Sequence, residues 1–155
     1  MNQQLVLRVI AKLLIPFILV FALYVQFHGD FGPGGGFQAG VTLAAAMIFY
    51  ALIFGLATAR RNVPDRLLEG MIAGGVLLYG GVGVAGMLLG GNFLDYFVLD
   101  ADPVVGQHRG IFWVEAGVAL TVSSVMLKLF YLFADRANHS GADVQNDLNR
   151  PEGGA

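Results

Sequence analysis

The 155-residue chain contains no cysteine and few charged residues. The missing cysteines exclude disulfides, thiolate chemistry and cysteine-ligated metal sites. Only 13% of the residues are charged, whereas soluble domains carry about a quarter, and 56% are hydrophobic. The net charge of −2 gives no reason to expect a nucleic-acid partner. These shortages together argue against a soluble domain.

Four apolar runs are long enough to cross a bilayer. They predict an all-α integral membrane protein with four transmembrane helices in one domain, residues 1–135. The basic, apolar start of the chain lacks a signal-peptide cleavage pattern, so we interpret it as a retained helix. The polar residues 136–155 predict a disordered cytoplasmic tail. The four spans are expected at about 9–27, 37–59, 67–89 and 111–133.

The distribution of basic residues predicts the orientation of these helices. Four spans place both termini on one side of the membrane, and only Arg109 then falls on the opposite side. Because cytoplasmic loops are enriched in Lys and Arg, we expect both termini in the cytoplasm. The basic residues on or near that side are Arg8, Lys12, Arg60, Arg61, Arg66, Lys128, Arg136 and Arg150.

A glycine-rich turn separates the first two spans. Residues 32–36 hold four glycines and one proline, so their backbone can adopt positive φ and be approached closely. The unpaired N–H groups at the start of the second span point into this turn. It is either a site that holds a polar group at the membrane rim or only a tight turn that packs against partners. The turn positions are Pro33, Gly34, Gly35, Gly36, Phe37 and Gly40.

Glu115 is the foremost candidate for an ion route. It lies four residues into the fourth span, at about 6 Å depth for ~1.5 Å per residue. A carboxyl group there must face protein or water rather than lipid. It either binds a proton or cation, or it pairs with Arg109 or with another chain.

Three further titratable residues are ion-route candidates. His28 and Asp30 flank the glycine turn and could relay protons or concentrate cations, although a loop histidine is usually only solvated. Glu69 lies one turn from the cytoplasmic end of the third span, within reach of Arg66 or Arg61, so an ion pair is the plainer interpretation. Lys128 is interpreted as a membrane anchor that reaches the interface.

The third span is rich in glycine and predicts close helix packing. Two small-xxx-small pairs have the spacing that lets membrane helices approach each other. The three histidines have no metal-site spacing, and a formal dinucleotide fingerprint in the glycine turn lacks a preceding strand, so we expect no metal and no cofactor. The packing pairs are Gly70 with Gly74 and Gly86 with Gly90.

The runs HGDFGPGGGFQAGV at 28–41 and GIFWVEAGVALTV at 110–122 resemble the MnhB/MrpB family. Its members are the small B-type components of multisubunit Na⁺/H⁺ antiporters, and the resemblance covers roughly residues 5–135. It departs from the usual pattern at Asp30 and Phe31.

The resemblance implies an accessory, non-enzymatic subunit in the prokaryotic cytoplasmic membrane, surrounded by lipid and by other membrane subunits. The complex would exchange cytoplasmic Na⁺ for external H⁺ using the proton-motive force. Two alternatives remain open: a purely structural subunit of a complex I-like or membrane-bound hydrogenase-type assembly, and a self-assembling small channel or lipid-interacting protein.

Overall fold

The computed structural model describes the backbone of residues 2–29 and 32–148 and the side chains of residues 5–29 and 32–137. This part of the chain contains helices and no strand, which confirms the all-α prediction. Four of the helices are long and apolar enough to cross a membrane, as predicted. The helices are α1 (Asn2–His28), α2 (Gly36–Phe54), α3 (Leu56–Asn62), α4 (Asp65–Leu88) and α5 (Pro103–Leu148), with a 3₁₀ turn at Tyr96–Leu99.

Helix α5 is the centre of the bundle. It packs along α4 on one side and α2 on the other, while α1 packs mainly on α2 and touches α5 little. The 3₁₀ turn also packs on α5. As a result α1 and α4 lie at the two edges, and each leaves a broad apolar face exposed. Such faces suit lipid or other membrane chains.

The buried core consists largely of small residues, because the helices approach closely. The stripe of α1 that faces α2 includes Ala11, Ile15 and Ala22, all buried. A second cluster joins α2, α3, α4 and α5 at the opposite end of the bundle from the glycine turn. Its members are Ala51, Ala59, Leu68, Leu127 and Tyr131.

Two helix boundaries differ from the sequence-based expectations. The second long helix ends at Phe54 rather than near residue 59, because Gly55 adopts φ 94° and ψ 147°, a conformation that interrupts an α-helix. Helix α5 continues to Leu148, so residues 136–148 are helical where a disordered tail was expected. Its apolar, membrane-length segment ends at Ala137.

The chain order places the loops at two ends of the bundle. The turn end carries the glycine turn and the loop between α4 and α5, and the basic end carries α3 with Arg60 and Arg61. That the basic end faces the cytoplasm stays a prediction.

Candidate functional site

The glycine turn folds back over the last turn of α1 and brings α2 against α5. The Gly32 N–H donates to the His28 carbonyl at 3.1 Å, and the Gly35 N–H donates to the Val25 carbonyl at 3.2 Å. Gly35 has φ 111°, which L side chains rarely adopt. The turn therefore depends on glycine at position 35 for its backbone shape.

Gly29 and Gly35 lie directly against the carboxylate of Glu115. A Cβ atom on Gly29 would stand 2.6 Å from Oε2 of Glu115, and one on Gly35 would stand 3.0 Å from Oε1. Any larger residue would therefore compete with the carboxylate for space. We call the group formed by Gly29, Gly34, Gly35 and Gly36 around Glu115 the glycine cradle.

Close contact between the backbones of α2 and α5 holds the cradle in place. A Cβ on Gly36 would lie 2.0 Å from the carbonyl oxygen of Glu115. One turn further, a Cβ on Gly40 would lie 2.9 Å from the carbonyl oxygen of Ala119. The i, i+4 spacing of the two glycines puts both on one face of α2, so this face can lie flat on α5.

The electrostatic setting of Glu115 is the amino end of α2. The first N–H groups of that helix receive no side-chain cap from Gly35. They carry the positive end of the helix dipole, which favours negative charge nearby. Glu115 is half-buried beside them. The turn that the sequence left open as a polar site or a plain turn thus encloses a carboxylate.

The other two candidates at the turn end lie near the cradle. The ring of His28 stacks on Tyr24 with centroids 5.3 Å apart, and its Nε2 would be 2.9 Å from a Cβ on Gly32. His28 thus covers the start of the turn. Asp30 lies outside the described residues.

Glu69 and Lys128 form an ion pair with each other at the basic end, with Nζ 2.5 Å from Oε1. The expected partners of Glu69, Arg66 and Arg61, were wrong as the hydrogen-bonding groups, although Arg66 adds a weaker electrostatic attraction. The interpretation of Lys128 as a plain anchor omitted this pair. Glu69 is therefore separated from the cradle by most of the bundle's length.

A second ionic cluster, which the sequence did not indicate, joins α3 to α5. Both terminal nitrogens of Arg60 donate to the carboxylate of Asp135, at 3.1 and 2.6 Å. The guanidinium also lies 5.2 Å from the ring centroid of Tyr131. The hydrogen bonds with Asp135 raise the pKa of Arg60 above its ordinary value. The cluster anchors α3 onto α5 just beyond the Gly55 break.

The glycines of α4 do not all pack as the motif predicted. Nothing lies within 4 Å of a Cβ on Gly70 or Gly90, and a Cβ on Gly74 would only touch Leu120. Gly86 packs on the loop that follows, 3.0 Å from the Asp95 carbonyl oxygen.

The closest approach of α4 to α5 instead involves Gly75 and Gly117. A Cβ on Gly75 would lie 2.6 Å from the Gly117 carbonyl oxygen, and one on Gly117 would lie 2.8 Å from that of Gly75. Sequence reasoning overlooked this pair because its members lie on different helices. The available signal was Gly117 itself, inside the family-like run around Glu115.

Gln26 is a further polar residue that the sequence analysis did not single out. It continues the buried stripe of α1 and is only 8% exposed. Its position three residues before Gly29 was the available signal, since the two share a helix face. Among the described residues there is no group of three or more His, Asp or Glu side chains that could hold a metal ion.

The glycine cradle and the four apolar helices fit what comparison with known proteins finds. Residues 6–128 match the family described as "Domain related to MnhB subunit of Na+/H+ antiporter". The chain belongs to the MnhB family. Both runs that carried the resemblance, 28–41 and 110–122, fall inside the matched region, so the family match includes the cradle and Glu115.

Individual members of the MnhB family support the same assignment. The chain is 30% identical over 131 residues to the Na⁺/H⁺ antiporter MnhB-type protein of Alkalihalophilus pseudofirmus, covering 78% of this chain and 90% of that protein. It is 30% identical to the corresponding Na⁺/H⁺ antiporter component of Bacillus subtilis, covering 79% and 94% of the two chains. It is 31% identical to the antiporter component mnhB2 of Staphylococcus aureus, covering 78% and 92%.

Proposed function

We propose that this chain is an accessory membrane subunit of a multisubunit antiporter that exchanges cytoplasmic Na⁺ for external H⁺ using the proton-motive force. The names of its relatives support the antiporter, and the basic loops support an orientation with the turn end outside. The proposed setting is the prokaryotic cytoplasmic membrane, with other membrane subunits as partners.

Glu115 in the glycine cradle is the observation that carries the proposal. Its carboxylate lies about one turn inside the apolar part of the bundle, between Gly29 and Gly35. A titratable group at that depth is costly and is usually functional. Since the turn end is expected outside, we propose that Glu115 exchanges protons with the external side.

An apolar cavity supports an accessory role rather than a complete ion route through this chain. The cavity has a volume of about 230 Å³ and lies between the four long helices toward the basic end. None of its described lining residues is charged, and the hydroxyls of Ser123 and Ser124 both donate to the Leu120 carbonyl. A cavity with such walls does not solvate an ion.

A purely structural role is the second candidate, and a specific observation favours it. Gly36 and Gly40 allow α2 to lie on the backbone of α5, so the glycines are explained by packing alone. In that case Glu115 only completes the contact at the amino end of α2, and no ion reaches the chain.

The substitution Glu115→Gln separates the two candidates. In vesicles that contain the assembled complex, we expect antiport to fall roughly tenfold or more, because a positioned proton-transfer group commonly contributes about 10²–10⁴-fold. The matched control is Glu69→Gln, which removes a span carboxylate far from the cradle. Normal assembly with unchanged antiport in Glu115→Gln would favour the structural role, and loss of assembly would place Glu115 in the packing.

A further inference from the structure

The strongest unexplained feature of the bundle is the buried amide of Gln26. The residue is only 8% exposed, and neither Oε1 nor Nε2 has a hydrogen-bond partner in the described part of the chain. Buried side-chain amides are nearly always hydrogen-bonded, to protein or to ordered water. A partner is therefore required, and this side chain is enclosed by its own chain rather than open to another subunit.

Gln26 lies next to the glycine cradle in two ways. Its chain neighbour Val25 supplies the carbonyl that accepts from the Gly35 N–H. Gly29, one helical turn later on the same face of α1, contacts the carboxylate oxygen Oε2 of Glu115. Residues one turn apart on a helix are about 5–6 Å from each other, so the Gln26 amide belongs to the surroundings of the carboxylate.

The chemistry of the amide decides which ligand it can take. Both the NH₂ donor and the carbonyl acceptor lack partners among the described residues. A metal cation would satisfy only the carbonyl oxygen, and an anion only the NH₂ group. Water both donates and accepts, and it is small enough for a site that the chain has already closed.

We propose that Gln26 holds a buried water molecule beside Glu115, and that this water delivers protons to and from the carboxylate. The proposal deepens the proposed function and rests on it, because it supplies the proton donor that Glu115 needs at its depth in the bundle. Gln26 is a positioning residue here, since it acts on Glu115 through the water. It also favours the proton over Na⁺ as the ion at this site.

Other charged and titratable groups at the turn end bear on the protonation of Glu115. Helix α2, which carries the cradle glycines, contributes none of them. Those on α1, the glycine turn, α4 and α5 are His28, Asp30, Tyr79, His108 and Arg109, of which Arg109 pairs with Asp100.

The pH dependence of carbodiimide labelling at Glu115 tests this proposal in membranes that contain the whole complex. The reagent modifies protonated carboxyl groups, so it reports proton occupancy without transport. In Gln26→Leu the carboxylate loses its water, so its charged form is disfavoured. We expect half-maximal labelling to move up by about one pH unit, a roughly tenfold change in proton affinity.

The matched control is Gln38→Leu, which removes the same amide from an exposed position on α2 close to the turn. Its labelling profile should coincide with that of the unmodified complex. An unshifted profile in assembled Gln26→Leu overturns the proposal. Protection of Glu115 by Na⁺ that disappears in Gln26→Leu would make the ligand a cation and overturn it as well.

A cryo-EM map of the unmodified complex that shows ordered water gives a test without any variant. Density for a water on the Gln26 amide supports the proposal, and a direct protein partner for that amide refutes it. The failure of the proposed function is separately visible. If Glu115→Gln leaves antiport unchanged while Gln26→Leu still shifts the labelling, the water exists but serves no transport.

Discussion

The replacement of Gly36 by alanine tests the contact on which the cradle depends. A Cβ at this position would stand 2.0 Å from the carbonyl oxygen of Glu115, 2.7 Å from its carbonyl carbon and 2.9 Å from its Cα. Carbon atoms in favourable contact are about 3.5–4.0 Å apart. All three obstacles are backbone atoms, so α2 and α5 must separate rather than a side chain rotate.

The expected cost follows from the size of this clash. Adding a methyl group to a closely packed contact costs typically about 1–3 kcal/mol. Alanine regains at most about 1 kcal/mol of helix propensity over glycine, and less at the first position of a helix. The net loss of about 1–2 kcal/mol lowers the unfolding temperature by about 2–8 °C for a chain of this length.

Trp113 makes the measurement direct, because it is the single tryptophan of the chain and lies two residues before Glu115. Its fluorescence can follow thermal unfolding in detergent micelles. The control is Gly81→Ala, a helical glycine with nothing within 4 Å of its Cβ position, which should be neutral or slightly stabilising. Equal unfolding temperatures for the two variants would refute the close approach of α2 to α5.

Two further predictions concern charges outside the cradle. Reversing one member of the pair, Lys128→Glu or Glu69→Lys, should lower the amount of assembled protein in membranes, and combining both should restore most of it because the attraction is re-formed; a double variant as poor as either single one would show that the pair does not couple. Burial, and to a lesser extent Tyr79, raises the pKa of Tyr96, so its contribution to stability is complete below pH ~10 and is lost as the pH rises through the raised value. The unfolding temperature should therefore drop above pH ~10, and less steeply in Tyr96→Phe; identical profiles of the two proteins would contradict this.

The sequence predicted the four long helices because their signal is local. Each apolar run is continuous, and in a bilayer a helix satisfies its own backbone hydrogen bonds, so length and composition decide the element. The glycine turn was found for a similar reason, since glycine and proline mark it within five residues. Its enclosure of Glu115 was not predictable, because it joins positions about 80 residues apart whose patterns are independent.

The partner of Glu69 shows the same limit. Arg66 lies three residues away and was the natural expectation on one helix. Lys128 lies 59 residues away and is brought close only because α4 and α5 run side by side. The Gly55 break was also hidden inside an otherwise unbroken apolar run.

The length of α5 has a consequence for how the chain meets the aqueous phase. It has 46 residues, about 69 Å of helix at 1.5 Å per residue, while the hydrocarbon core of a bilayer is ~30 Å thick. The rod therefore projects well past the lipid, by about 20 Å beyond Asp135 alone. Arg60 grips it where it leaves the lipid, so a force applied to the protruding part would be transmitted to the helix that carries Glu115.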